Sequence, residues 1–313
     1  MTPHAASLSA LAVRRLERVV ETDAHEGPVY VGDEDALYFT TVRRERVSIK
    51  RLAVAERTVS LVREDANMAN GMTLDREDRL VICEQGTLAT PARISRLDRA
   101  TGAVETVVDA YDGLPFNSPN DVVVARDGGI WFTDPSYGWL QGFRPEPQLG
   151  DRVYRYDPAV RRITVVADSL DKPNGLAFSP DERLLYVGDN GAPRHLLAFD
   201  VEDGVRLTGG RELAVSTPAH PDGIKVDADG RVYASFADGI QVFGPTGVLI
   251  GEVELPGAVN FTFGGRNRDV LYVTADTAIW AVTLGASGEG RSSKASGACL
   301  VQSGAMRRPR SRQ

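Results

Sequence analysis

Six times along the chain, a turn cluster rich in Asp, Asn, Gly or Pro is followed at once by a short apolar or aromatic segment. The clusters recur about every 40 to 55 residues, which is the length of one four-stranded blade of a β-propeller. Sandwiches and barrels do not require a period of this length, so the repeat predicts an all-β, six-bladed β-propeller. The apolar segments begin at Leu37, Leu80, Ile130, Leu185, Val232 and Leu271.

The ends of the chain suggest how the ring of blades closes. After the last clear strand, Ala278 to Leu284, too few strands remain to complete a sixth blade. Leu16 to Val20 reads as a strand that returns to complete it and removes an open sheet edge. We therefore expect a propeller at 16–284 after an N-terminal extension at 1–15. The Gly-, Ser- and Ala-rich residues 285–313 are expected to form a disordered tail.

Composition narrows the class of partner and the compartment. The formal net charge of −7 argues against nucleic acid as the main partner. No run approaches the roughly 18 apolar residues of a membrane span, and no basic residue precedes the short apolar stretch at the N-terminus, so we expect neither a span nor a secretory signal. A disulfide between Cys83 and Cys299 is not expected, and a cytoplasmic location follows from that reading.

A polar position recurs about eleven residues ahead of each apolar segment. Equivalent positions in the blades of a closed propeller share one circle around the axis, so these side chains should converge at one mouth of the central channel. Asn-Gly and Asp-Gly are also common turn dipeptides, and any one of these residues alone reads more simply as part of a turn. The six positions, which we call the polar ring, are Glu26, Asn70, Asn120, Asn174, Asp222 and Asn260.

The chemistry of the polar ring suits a hard divalent cation. Glu26 and Asp222 together carry a charge of −2, and the other four members offer neutral amide oxygens. Ca²⁺ accepts about six to eight oxygen ligands in irregular geometry, whereas Mg²⁺ demands a tighter octahedron. Zn²⁺ would normally recruit His or Cys, and neither occurs in the ring. The sequence thus predicts Ca²⁺, with another divalent cation as the alternative.

Five ordered motifs between about Leu16 and Leu284 resemble the SMP-30/gluconolactonase family, especially its bacterial gluconolactonase branch. The motifs carry the ring residues Glu26, Asn120, Asn174 and Asp222 within recognisable runs. These runs are His25 to Tyr30, Asn117 to Val124, Trp131 to Gly138, Lys172 to Glu182 and His220 to Asp227.

This resemblance implies a calcium-dependent lactonase on a six-bladed propeller. It assigns metal ligation to Glu26, Asn174 and Asp222, places Asn120 in the site as a metal or substrate contact, and makes Asp222 the general base. Asn70 and Asn260, with Asn120, are expected to contact the substrate. Some sugar-lactonase members carry an arginine where this chain has Ser118, so their substrate contacts do not transfer.

Other residues are weaker candidates. His25 and His220 adjoin ring residues and could line the pocket, although a neighbour along a strand often points the other way. The long segment from Pro135 to Asp151 could cover the pocket or be a plain surface loop. Asp134 and Asp189 occupy matching places in two repeats, and buried hydrogen bonding is the expected role of both.

The sequence therefore predicts a hydrolase that opens a sugar-acid lactone, a small-molecule substrate. Two alternatives remain at this stage. One is an organophosphate or aryl-ester hydrolase that uses the same site. The other is a non-catalytic propeller that is stabilised by calcium and binds a ligand or a protein.

Overall fold

Short β-branched strands separated by tight turns build almost the entire molecule. The computed structural model describes residues 13–192, 194–215 and 220–284. The tail expected at 285–313 and most of the N-terminal extension expected at 1–15 therefore lie outside the described residues. Within the described part, the strands form six four-stranded antiparallel sheets and one two-stranded hairpin, so the predicted six-bladed propeller is confirmed.

The blades follow one another in chain order, except that the first strand, β1 (Val13–Glu21), belongs to the last blade. Blade 1 contains β2 (Ala24–Val31), β3 (Ala36–Thr41), β4 (Ile49–Ala53) and β5 (Thr58–Arg63). Blade 2 contains β6 (Ala69–Leu74), β7 (Leu80–Glu84), β8 (Arg93–Leu97) and β9 (Val104–Val108). The small hairpin of β10 (Ala110–Tyr111) and β11 (Leu114–Pro115) connects blade 2 to blade 3.

The second half repeats this plan. Blade 3 contains β12 (Val122–Val124), β13 (Ile130–Asp134), the one-turn helix α1 (Tyr137–Leu140), β14 (Arg152–Asp157) and β15 (Arg162–Ala167). Blade 4 contains β16 (Pro173–Phe178), β17 (Leu184–Asp189), β18 (His195–Glu202) and β19 (Arg206–Val215). Blade 5 contains β20 (Ile224–Val226), β21 (Val232–Phe236), β22 (Gly239–Phe243) and β23 (Leu249–Glu254). Blade 6 contains β24 (Asn260–Gly264), β25 (Val270–Thr274) and β26 (Ala278–Leu284), and β1 completes it.

The ring closes between the two ends of the described chain. Strand β1 pairs antiparallel with β26 from Val13 opposite Leu284 to Glu21 opposite Ala278. This is the closing strand that the sequence predicts, although it begins three residues before Leu16. The first strands of adjacent blades contact one another all the way round, from β2 through β6, β12, β16, β20 and β24 back to β2. They therefore surround the central axis.

The hydrophobic core is divided among the interfaces between blades. Six clusters of buried side chains occur, and each is built mainly from two adjacent blades. The interface of blades 6 and 1, for example, packs Tyr272 and Ile279 against Leu37 and Phe39. Because successive side chains of a strand point to opposite faces, each twisted blade can bury apolar residues against both neighbours. This packing fixes the inner strands, and with them the polar ring.

Candidate functional site at the channel mouth

Backbone hydrogen bonds join the polar ring from blade to blade. The amide of Gly71 donates to the carbonyl of Asn120 at 2.8 Å, and the amide of Gly175 donates to the carbonyl of Asp222 at 3.1 Å. A Cβ at position 175 would lie only 2.1 Å from that Asp222 oxygen. Glycine therefore follows the ring residue because the next blade approaches so closely, and the dipeptide is not merely a turn signal.

The two ring carboxylates meet although they come from distant parts of the chain. Glu26 is buried, and its carboxyl group lies within hydrogen-bonding reach of Asp222. Asp222 keeps partial access to solvent. Its pKa is nevertheless raised well above the usual range, first because the protein surrounds it and then because Glu26 lies beside it. Two like charges held in this way favour a cation or a shared proton.

The amide members of the polar ring orient the carboxylates and one another. Asn260 Nδ2 donates to Glu26 Oε2 at 2.7 Å, and Asn260 Oδ1 accepts from the Phe261 amide at 2.7 Å. The Asn174 side chain lies beside Asp222 and lowers the pKa of its carboxyl group. Asn70 Nδ2 donates to the carbonyl of Asn120 at 3.1 Å. The site thus brings Asn174 and Asn260 directly to the acids, whereas Asn70 contacts the Asn120 backbone.

Asp121 and Lys225 lie beside the ring and were not singled out from the sequence. Asp121 is buried, its Oδ1 accepts from the Val122 amide at 2.8 Å, and its Oδ2 has no partner among the described residues. Burial raises the pKa of Asp121 to about 6, although the positive charge of Lys225 opposes this shift. A lysine between Ile224 and Val226 in an inner strand was the available signal, because a charge interrupts an apolar run there.

A second level of carboxylates lies at the ends of the second strands of blades 2, 3 and 4. Asp134 accepts from the amides of Asn117 and Ser118 at 2.9 and 2.8 Å, and Asp189 accepts from the amide of Asp171 at 3.0 Å. The structure confirms buried hydrogen bonding for both. Sequence reasoning missed Glu84, the third of these strand-end acids, which is fully buried. Each of the three acids accepts a hydrogen bond from the segment of chain that leads into its own blade.

Glu84 is neutralised by positive charge from its own blade and from blade 1. Arg93 Nε donates to Glu84 Oε2 at 2.7 Å, and Arg63 Nη1 donates to Oε1 at 2.6 Å. Ser95 and Asn67 add hydrogen bonds at 2.6 and 3.1 Å. Burial alone would raise the pKa of Glu84, but these contacts lower it. This carboxylate is therefore structural.

The segment from Pro135 to Asp151 is folded against the mouth. Buried Arg144 donates to the carbonyls of Asn117 and Phe116, both at 2.9 Å, and to that of Thr87 at 2.8 Å. Ser118, which departs from the arginine of some sugar lactonases, accepts from the Gly138 amide at 2.9 Å through its hydroxyl. Position 118 therefore supports helix α1 in this chain.

The two histidines next to ring residues, His25 and His220, interact with groups outside the polar ring. His25 pairs with Asp276 on the surface, with 2.6 Å between Nδ1 and Oδ1. His220 is exposed, and its pKa is lowered by partial burial and by the charge of Arg194. Among the described residues, neither imidazole forms a hydrogen bond with the polar ring.

The donor set fits a hard cation. No group of three His, Cys, Asp or Glu side chains suited to a metal occurs within residues 13–192, 194–215 and 220–284. The charged donors are instead two carboxylates in contact, and neutral amides surround them. Oxygen donors of this kind match Ca²⁺ better than Zn²⁺. Fold and site together define a six-bladed propeller with an acidic, amide-lined site at one mouth of its channel.

Comparison with known proteins gives the family. Residues 24–277 match the model of the SMP-30/Gluconolactonase/LRE-like region, and the chain belongs to this family. It is 28% identical over 306 residues to the lactonohydrolase oryL of Aspergillus oryzae, covering 86% of this chain and 70% of that protein. It is 29% identical over 277 residues to the gluconolactonase of Zymomonas mobilis, covering 80% and 75%. These relatives confirm the expectation of an enzyme of the lactonase class.

Solved structures agree with the assignment. A gluconolactonase from Xanthomonas campestris superimposes with a TM-score of 0.80 at 36% identity, covering 90% of this chain and 93% of that chain. A calcium-binding regucalcin from Agrobacterium tumefaciens superimposes with a TM-score of 0.70 at 16% identity, which shows a shared fold. None of the helices in the described part of the chain is long and apolar enough to cross a membrane.

Proposed function

We propose that this protein hydrolyses the lactone of a sugar acid at the polar ring, in a reaction that depends on a divalent cation. The observation that carries the proposal is the meeting of Glu26 and Asp222 inside a ring of amides. The names of the lactonohydrolase and gluconolactonase relatives support the choice of substrate.

Glu26, Asn174 and Asp222 would hold the cation, which we take to be Ca²⁺, and Asn120 would contact either the cation or the substrate. A cation held there supplies positive charge that polarises the lactone carbonyl and stabilises the oxyanion formed by the attack of water. Asn260 orients Glu26 through its 2.7 Å hydrogen bond. We keep Asn70 and Asn260 as candidate substrate contacts, since both lie in the ring.

Asp222 is the proposed general base. As a carboxylate it takes a proton from the attacking water while the new carbon–oxygen bond forms. The ester carbon–oxygen bond of the lactone ring then breaks. The proton passes from Asp222 to the leaving alkoxide, which gives the open hydroxy acid.

The test is acid release from glucono-δ-lactone, corrected for spontaneous hydrolysis, before and after metal removal with EDTA and after Ca²⁺ is restored. We expect loss and recovery of activity, and a parallel fall and rise of the melting temperature, because binding to the native state stabilises it by RT ln(1 + [L]/Kd). Full activity and an unchanged melting temperature after verified metal removal would contradict the proposal.

The same assay separates the alternatives. A p-nitrophenyl ester and an organophosphate triester are run beside the lactone under identical conditions. Faster turnover of either one, relative to the lactone, would favour the aryl-ester or organophosphate hydrolase. Calcium-dependent stabilisation without turnover of any of the three would favour the binding propeller.

A further inference from the structure

Helix α1 is a fixed wall of the site. Besides the four carbonyls bound by Arg144, the Ser136 amide donates to Asp151 Oδ1 at 2.8 Å, which ties the two ends of the segment together. The amides of Phe143 and Arg144 both donate to the Gly138 carbonyl at 3.0 Å. Since these bonds anchor the helix from both sides, its residues have defined positions relative to the ring.

Tyr137 is the residue of α1 that faces the polar ring. Its hydroxyl lies near the Asn174 side chain and close enough to Asp222 to feel its charge. The hydroxyl also contacts the carbonyl of Lys172, two residues before Asn174, at 3.3 Å. A hydroxyl–oxygen bond of this length is weak compared with the usual 2.7 to 2.8 Å. The hydroxyl hydrogen therefore remains available to a better acceptor.

Asn190 holds that hydroxyl in place. Its Nδ2 donates to Tyr137 Oη at 2.7 Å, and among the described residues its Oδ1 has no partner. The contact with Tyr137 is thus the one hydrogen bond that the described structure gives to this side chain. Because Asn190 donates, the tyrosine oxygen is used as an acceptor and its own hydrogen points elsewhere.

The segments that border the channel mouth differ in length from blade to blade. The segment between the second and third strands is long in blade 3, residues 135–151, and shrinks to Ala237 and Asp238 in blade 5. Tyr137 therefore stands beside Asn174 in a blade where this segment is long. A substrate bound at the carboxylates would meet helix α1 on this side.

The geometry points to Tyr137 as a specificity-determining residue that donates a hydrogen bond to a hydroxyl group of the substrate, with Asn190 as its positioning residue. This inference rests on the proposed lactonase function and adds to it a residue that recognises the hydroxyl groups of the substrate. The preferred substrate carries hydroxyl groups on the side of its lactone ring that faces blades 3 and 4. A bare cyclic ester lacks the acceptor for Tyr137.

The test compares glucono-δ-lactone with δ-valerolactone, which has the same ring size without hydroxyl groups. Tyr137→Phe removes the hydroxyl oxygen and keeps the aromatic ring of the side chain. We expect it to raise the KM for glucono-δ-lactone relative to that for δ-valerolactone by about 2- to 12-fold, the value of one neutral hydrogen bond. D-gluconate binding, measured by calorimetry on the calcium-loaded protein, should weaken by a similar factor.

Two further variants make the result interpretable. Tyr38→Phe removes a hydroxyl bonded to Glu34 at 2.9 Å at the opposite end of blade 1, and it should leave the KM ratio unchanged. Asn190→Ala should shift the ratio in the same direction as Tyr137→Phe, and the double variant should be no worse than Tyr137→Phe alone. An equal KM change for both lactones, or an unchanged ratio with unchanged gluconate binding, would overturn the inference. Absence of lactone turnover by the wild-type protein that still binds gluconate would overturn the proposed function instead.

Discussion

Carboxylates occupy two levels of this propeller, and the levels differ in what surrounds them. Blades 1 and 5 place Glu26 and Asp222 in the polar ring, where the two acids face each other. Blades 2, 3 and 4 have neutral amides in the ring, and each places a buried acid at the end of its second strand. Those strand-end acids accept backbone amides or arginine, as Glu84 does from Arg63 and Arg93.

This difference separates a reactive acid from a structural one. A buried carboxylate that is matched by donors contributes to a fixed local geometry, and removing it leaves those donors unpaired. Two carboxylates that face each other destabilise one another until a cation or a proton relieves them. We therefore expect substitutions in the ring to affect mainly activity, and substitutions at the strand ends to affect mainly stability.

The largest expected effect is on turnover by Asp222→Asn. The substitution keeps the shape and one ligand oxygen but removes the basic group, so kcat for a lactone should fall by about 10²- to 10⁴-fold. Turnover at saturating Ca²⁺ is the measurement, with metal content checked by mass spectrometry. If the metal-loaded variant retains nearly wild-type kcat, another group must take the proton. Asn120→Ala removes neither charge nor base and should change KM more than kcat.

Glu84→Gln is the matching test at the strand ends. It leaves Arg63 and Arg93 facing a neutral amide, so the free energy of unfolding should fall by about 3 kcal/mol, while activity per folded molecule stays close to wild type. Because the folded pKa of Glu84 is lowered, its stabilisation is present above the unfolded pKa and is lost as the pH falls through the folded value. Urea denaturation at several pH values measures both effects. A variant that is stable but inactive would break the comparison.

The sequence predicted the fold and the ring for a physical reason. Repetition places equivalent residues on one circle, and an acid or amide in each repeat, from Glu26 to Asn260, reveals that circle without any knowledge of contacts. Glu84, Lys225 and Asn190 were not predicted. Their roles depend on partners brought together by tertiary packing, such as Arg63 from the last strand of another blade. Local periodicity carries no information about such pairs.

Asp134 should show the opposite pH dependence to Glu84. Burial raises its folded pKa to about 7, so the native state binds more protons than the unfolded chain between about pH 4 and pH 7. Its contribution to stability is therefore fully present below the unfolded pKa and declines as the pH rises through 7. Relative to Asp134→Asn, which cannot ionise, the wild-type protein should lose stability over this interval. A relative gain with rising pH would show that the amides of Asn117 and Ser118 outweigh burial.

The smallest expected effect tests how the blades hold the ring. Thr133 Oγ1 donates to the carbonyl of Asn174 in the next blade at 2.8 Å, and Thr274 Oγ1 donates to that of His25 at 2.6 Å. Thr133→Val keeps the shape but leaves the Asn174 carbonyl without this donor, which should cost about 1 to 2 kcal/mol. Thr133→Ser keeps the hydroxyl and serves as the control. Because Asn174 is a candidate ligand, only the valine variant should also need more Ca²⁺ for half-maximal stabilisation, measured by thermal melts at increasing Ca²⁺. Equal calcium requirements in both variants would mean that the backbone fixes Asn174 without help from this bond.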